Sequence, residues 1–268
     1  MATLIYGRTT DNIAATATIV ASAADAAYPA TNLIDLNPAK PAKLTTPTGN
    51  WVFDFTTAKQ VDVVALIHHN FQAGLNVRWQ GNATDSWGAP TIDQAFTIPA
   101  YHEDGFPVNP FLDLTGIGSR TFRFWRLVVV GTNPVICALG EIIILGTKRT
   151  LVHNVIWGAE DEEDHPHIEH RTDYGVSTIY SFGTKMRNFR GEIDTTDAGA
   201  NDFLSLRRGA FGRGLGFLAV PDPAKNDAWF GRLIDPKQTR TYVFLDRNTL
   251  PFLFEEISRG LKPTPSAV

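Results

Sequence analysis

What this chain lacks narrows its function before any motif is read. It has a single cysteine, Cys137, so no disulfide can close within one copy. A cysteine-based zinc or iron–sulfur centre inside one chain is excluded with it. Cys137 lies between Ile136 and Ala138 and reads as a small buried side chain. Neither charge is in large surplus: 24 Lys and Arg against 28 Asp and Glu leave a formal net charge of −4. Nothing therefore draws the chain broadly toward nucleic acid. Charged residues make up only 19% of the chain, low for an enzyme working free in a cytosol. No long apolar run occurs. Residues 14–27 are apolar but Ala/Thr-rich, broken by Ser22 and Asp25, and too short to span a bilayer. No basic segment leading into an apolar core opens the sequence, so a protein kept in the cytoplasm of its maker, or built into a particle there, is expected. No internal repeat is visible.

What is present suits an all-β protein. The 268 residues are enough for one large or two ordinary domains, and 43% of them are hydrophobic. Sixteen prolines and 22 glycines fit many short strands joined by turns. Trp51, Phe53 and Phe55 alternate with Val52 and Asp54, a period of two that predicts a strand with one buried face. Residues 61–67 form a nearly continuous Val-rich run, as for a strand covered on both faces. Leu75, Val77 and Trp79 alternate again, and 123–130 and 142–145 predict two further strands. The stretch 87–120, rich in Gly, Pro and Asp, predicts long loops with one or two short strands.

The texture changes at Lys148-Arg149, a predicted joint between domains spanning 1–147 and 148–268. Residues 159–170 are polar and acidic. Strands are predicted at 172–182, 188–193, 217–220, 229–234, 240–245 and 251–254. One helix is predicted over about 197–209, with Asp197 as N-cap and Phe203, Leu206 and Ala210 along one face. Gly212, Gly214 and Gly216 stop it. The tail from Lys262 has too little apolar surface to pack.

Pro29-Ala30-Thr31-Asn32-Leu33, then Trp51-Val52-Phe53-Asp54-Phe55, Val61-Asp62-Val63-Val64, Trp125-Arg126-Leu127 and Gly140-Glu141-Ile142 occur in an order that resembles the galactose-binding-like jelly rolls, the discoidin or coagulation-factor C-type family. The resemblance covers about residues 10–147. It implies a jelly-roll β-sandwich that binds sugars, lipids or proteins through loops at one end. Trp87, Tyr101, His102 and Phe106, in predicted loops, are the candidate glycan contacts, against the plainer reading that they fill core gaps or a protein interface. Several family members hold calcium near the first loop, where Asn32, Asp35 and Asn37 supply oxygens. The second half is similar to a domain of minor tail proteins of long-tailed bacteriophages. Tyr180 to Gly183, Phe189 to Asp194, Leu204 to Ala210, Gly216 to Pro223 and Trp229 to Leu233 carry that likeness. It implies a ring-building β-domain with one helix.

Other clusters give weaker chemistry. His165, His167 and Glu169 would share one face of a strand and suit a metal, but a further ligand must come from elsewhere. A solvated acidic loop meeting a neighbour's Arg or Lys is the preferred reading, and no metal is expected there. His68-His69 has no nucleophile or third group to form a hydrolytic set. The run 212–216 follows a helix and has no Lys-Ser/Thr after it, so it is no phosphate loop. Glu160, Asp161, Glu162 and Glu163 on one side, and Arg207, Arg208 and Arg213 on the other, are candidate halves of a subunit interface.

The expectation is a mainly β structural protein of a phage tail tip, assembled in the bacterial cytoplasm and carried in the virion. It would form a homo-oligomeric ring, a hexamer, between tail-tube and hub proteins, with the jelly roll outside and a host-surface glycan as a further partner. No enzymatic activity, cofactor, membrane or specific nucleic acid is expected. The alternative is a carbohydrate-binding module attaching a particle or enzyme to a cell surface. A sugar-processing enzyme ranks last, because no carboxylate pair stands out.

Overall fold

The computed structural model describes residues 5–102 and 105–150, and beyond them 160–164, 167–171, 177–181, 186–196, 201, 217–233, 241–244 and 247–256. Among the later segments, side chains are described for Arg187, Thr196, Asn201, 218–232 and 254–256. The first half contributes β1 (Ile5–Gly7), β2 (Thr18–Ala21), β3 (Ala42–Lys43), β4 (Gly49–Gln60), β5 (Val63–His69), β6 (Val77–Asn82), β7 (Ile92–Phe96), β8 (Phe111–Asp113), β9 (Thr121–Val129) and β10 (Ala138–Leu145). After the joint come β11 (Arg149–Thr150), β12 (Glu160–Asp164), β13 (His167–Arg171), β14 (Ser177–Ser181), β15 (Met186–Thr195), β16 (Phe217–Val220), β17 (Trp229–Leu233), β18 (Thr241–Phe244) and β19 (Arg247–Glu256). The protein is mainly β. The helix expected at about 197–209 lies outside the described residues, apart from Asn201, which is helical.

Two antiparallel sheets make the jelly-roll sandwich, one ordered β2-β4-β9-β6-β7 and the other β3-β10-β5-β8. The alternation read from the sequence sets the inner face. Trp51, Phe53, Trp79, Trp125 and Leu127 are fully buried between the sheets with Val64, Leu66, Ile142 and Ile144. The indoles of Trp79 and Trp125 stack at 5.6 Å and 14°. Gly81 makes room for them, since a Cβ there would lie 2.7 Å from Trp125 Cζ3. Residues 14–27, which gave no strand signal, hold the edge strand β2 and a 3-10 turn at Ala14–Thr16. Ala and Thr there satisfy a half-exposed edge without marking it.

The second face of β5 and β10 is covered as well. Val63, Ala65, Ile67, Ile143 and Leu145 pack against Ile5, Leu218, Val220, Ala228 and Phe230. This explains the apolar run at 63–67: the covering layer comes from residues 218–230 together with Ile5. That layer is an eight-stranded sheet ordered β11-β1-β16-β17-β19-β15-β12, with β18 on β19. Its second member is the first strand of the chain. Ile5 pairs with Thr150 on one side and with Val220 on the other. Residues 5–7 thus belong to the sheet of the second half, across the division placed at 147/148. The joint itself is tied down: Lys148 Nζ lies 2.6 Å from Asp113 and Arg149 Nε 2.7 Å from Asp11.

The acidic run is not a loop. Glu160–Asp164 is an edge strand paired with β15, and His167–Arg171 pairs with β14. Carboxylates along an edge strand keep it from pairing indiscriminately.

Candidate functional site

The register separates the four candidate glycan contacts. Gly49, Val77 and Phe96 line up beside Val129, so the loops 70–76, 97–110 and 130–137 gather at one end of the sandwich. Asn82 and Ile92 close the opposite end, where loop 83–91 carries Trp87. Tyr101, His102 and Phe106 therefore share one end and Trp87 sits at the other. A single stacking site made of all four does not exist.

At the first end, the loop is turned toward the second half of the chain. Phe106 is 7% exposed. Tyr101 meets the His69 ring edge-on at 6.4 Å. The His69 ring is pinned, with Nε2 2.9 Å from the Val108 carbonyl and Nδ1 accepting from the Phe71 amide. Burial drives its pKa down to about 4, so it is neutral. His102 Nε2 lies 3.6 Å from Asp227. Asp227 is 9% exposed and accepts from the Asn109 amide at 3.0 Å and from Trp229 Nε1 at 3.3 Å. Arg187 binds Glu256 through two parallel bonds of 2.8 and 2.6 Å, also bonds Asp227, and stacks on Trp229 at 4.3 Å. Burial raises Asp227, but the His102 contact and the Arg187 charge outweigh it and hold the carboxyl below its ordinary range. Asn109 and Asn226 add bonds between loop and sheet, Asn109 Nδ2 to the Ala228 carbonyl and Asn226 Nδ2 to the Thr97 carbonyl. The loop end is thus occupied by the joint. This buried ion cluster was not legible in the sequence, since its members lie far apart along the chain.

At the other end, Trp87 folds onto the outer face of the five-stranded sheet. Its Nε1 donates to Asp85 at 2.6 Å, and the Arg126 guanidinium lies 4.5 Å from its ring centre. Arg126 donates to Gln80 Oε1, and Gln80 Nε2 donates to Asp93 Oδ1, which also accepts from Arg78.

The first loop presents a third group. Glu141 is fully buried, and neither carboxylate oxygen has a hydrogen-bond partner. Burial, with the Asp35 charge added, pushes its pKa up to about 9; the amides of Leu36 and Asn37 pull the other way without reaching hydrogen-bond geometry. Leu36 adopts a left-handed φ of 59°, and Gly140 lets the Pro38 carbonyl come close, 2.4 Å from where a Cβ would stand. A buried carboxyl without a hydrogen-bond partner, with the Asp35 charge acting on it, suits a cation such as calcium. Asp35 and Glu141 would hold it, and its charge would let both stay ionised. Asn32 donates to the Pro41 carbonyl, and Glu141 is the member of this set that sequence reading missed. Among the described residues, no group of three or more His, Cys, Asp or Glu side chains is placed to hold a metal. His167 and Glu169 lie on β13, Glu160 to Glu163 on β12, and their side chains are outside the description. His165, Arg207, Arg208 and Arg213 lie outside the described residues.

No family model matches the chain, and no curated protein is similar to it. Solved structures of similar outline include the lectin-binding domain of lectinolysin with Lewis b, at 14% identity, covering 52% of this chain and 98% of that one, TM-score 0.40. The family 32 carbohydrate-binding module of C. perfringens NanJ with galactose gives 9%, 52%, 98% and 0.40. A fucose-binding module of Streptococcus pneumoniae gives 14%, 50%, 96% and 0.38. Among the described residues no helix is long and apolar enough to cross a membrane.

Proposed function

We propose that this chain is a structural protein in which a carbohydrate-recognising jelly roll is built rigidly into an assembly unit, and that the assembly is a bacteriophage tail tip. The supporting observation is the mount. A recognition module on a tether shares few contacts with what it is tethered to. Here the halves share a strand and an apolar layer, and His102 and Asn109 of the first half reach Asp227 of the second. Such a mount keeps the jelly roll at a fixed angle, which a particle component needs and a tethered module does not. The assignment to a phage tail rests on the likeness of residues 172–254 to tail proteins. The acidic edge strand β12 supplies one side of a subunit contact, with Arg207, Arg208 and Arg213 on the neighbour as its partner. Calcium at Asp35 and Glu141 would fasten the first loop.

The test is the oligomeric state of the full chain, by light scattering and negative-stain imaging. A closed ring, lost on charge reversal at Arg207 and Arg208 in a protein that still folds, supports the reading. A monomer in solution and in mature particles refutes the assembly half. The second reading is a free-standing carbohydrate-binding module, favoured by the Trp87–Arg126 stack on an open sheet face. A monomer that binds a glycan array would select it.

A further inference from the structure

Trp87, Arg126, Gln80, Asp93, Arg78 and Asp85 form one connected network on the outer face of the five-stranded sheet. Its two unpaired charges lie beside the same indole. Arg78 is paired with Asp93, Arg120 with Asp62 and Arg123 with Asp54. Among the described residues Arg126 has no ion pair within 4 Å; its partners are the Gln80 amide oxygen and the Trp87 ring. Among the described residues Asp85 forms no ion pair within 4 Å, feels Arg126 only through space, and accepts from Trp87 Nε1. Donor capacity is left over at Arg126 and acceptor capacity at Asp85.

The group is also held in place. Gln80 fixes the Arg126 fork. Asn82 anchors the loop through Ser86 at 2.6 Å and Thr91 at 3.1 Å. Little side-chain freedom remains to be lost on binding, which favours affinity. The surroundings on the same face are mixed: Phe124 and Val128 flank Arg126 along β9 and are half-buried. A half-exposed aromatic ring between a spare donor and a spare acceptor matches a sugar ring, whose hydroxyls both give and accept.

We infer that this sheet face, with Trp87 as platform and Arg126 and Asp85 as hydroxyl partners, binds a neutral pyranose at the end of a glycan. A neutral ligand fits because the local charges balance. Asp85 and Asp93 already act on Arg126 through space, and an anionic sugar would meet Asp85. The site lies away from the loop end, which the second half of the chain covers. The inference rests on the carbohydrate half of the proposed function.

The experiment uses the full chain and saturation-transfer NMR with methyl galactoside, methyl glucoside, N-acetylglucosamine and glucuronic acid. It is repeated on Arg126→Lys, Asp85→Asn and Trp87→Ala, with melting temperatures measured alongside. The expected result is binding of a neutral pyranoside that weakens about tenfold or more in Arg126→Lys and Asp85→Asn, the worth of one charge-assisted hydrogen bond. Their melting temperatures should stay unchanged, so Trp87→Ala need not fold for the test to decide. Neutral sugar binding untouched by Arg126→Lys and Asp85→Asn overturns the location and leaves the carbohydrate reading standing. Preference for glucuronic acid overturns the ligand class. Absence of binding to any of these sugars, and to a glycan array, overturns both.

Discussion

Replacing Glu256 with glutamine tests the buried ion cluster of the second half, which meets the first half through Asp227. Arg187 is 4% exposed and Glu256 1%, and their two parallel bonds are 2.8 and 2.6 Å. The substitution keeps the shape and removes the charge, leaving a buried guanidinium with Asp227 as its remaining carboxylate. Leaving a buried charge wholly unpaired costs about 3–5 kcal/mol; with Asp227 still beside Arg187 that is the upper bound for Glu256→Gln. A whole domain is stable by only about 5–15 kcal/mol, so the loss should be plain in urea unfolding followed by tryptophan fluorescence. Asp54→Asn, at the exposed Arg123 pair, is the control and should move the midpoint far less. Replacing Arg187 with Met, Glu256 with Leu and Asp227 with Asn together should recover much of the loss, since no buried charge is then left without its partner. Acid should act on the same cluster. Asp227 sits below its ordinary value of 3.8, so its contribution is present above that pH and lost as pH falls below it. The reasoning fails if Glu256→Gln costs no more than Asp54→Asn, or if the triple replacement, which leaves no charge in the cluster, is worse than the single.

Three further outcomes are expected. Trp125→Ala should cost about 3–5 kcal/mol and Gly81→Ala about 1–3 kcal/mol, because the added methyl meets the Trp125 ring; denaturant melts that show Gly81→Ala as neutral would contradict the stacking. Calcium should raise the melting temperature of wild type and leave Glu141→Gln unmoved, and a scan with no calcium response in wild type would remove the ion from the first loop. Deleting residues 1–8 should lower the melting temperature and raise light scattering, because Phe217–Val220 loses its neighbour; a monodisperse deletion with an unchanged melt would mean that the strand is dispensable.

The sandwich was legible because its strands obey two simple periods. Trp51, Phe53 and Phe55 alternate toward the core, and the apolar 61–67 run announced a second covering layer before its source was known. That source could not be read. Ile5-Tyr6-Gly7 is too short for any period to show, and its partners lie at 149–150 and 217–220. Residues 160–164 gave no strand signal because five acids carry no apolar face; their pairing with Met186–Arg190 is seen in the backbone register. For the sites, aromatic residues in loops were found but not their company. Trp87 and Tyr101 look alike in sequence, while the register sends them to opposite ends. Glu141 looked like an ordinary strand residue, and its burial with no partner is visible only in three dimensions.

The placement of the first strand fixes an order of events during synthesis. Ile5–Gly7 leaves the ribosome before anything else described here, yet its partner Val220 is made long after the sandwich is complete. The jelly roll can close early, with its Val63 and Ile143 face bare, while the leading residues wait. Contacts this distant in sequence form slowly. A bulky fusion placed directly before Ile5 would therefore ride on a strand that gains its second neighbour only once residues 218–220 are made.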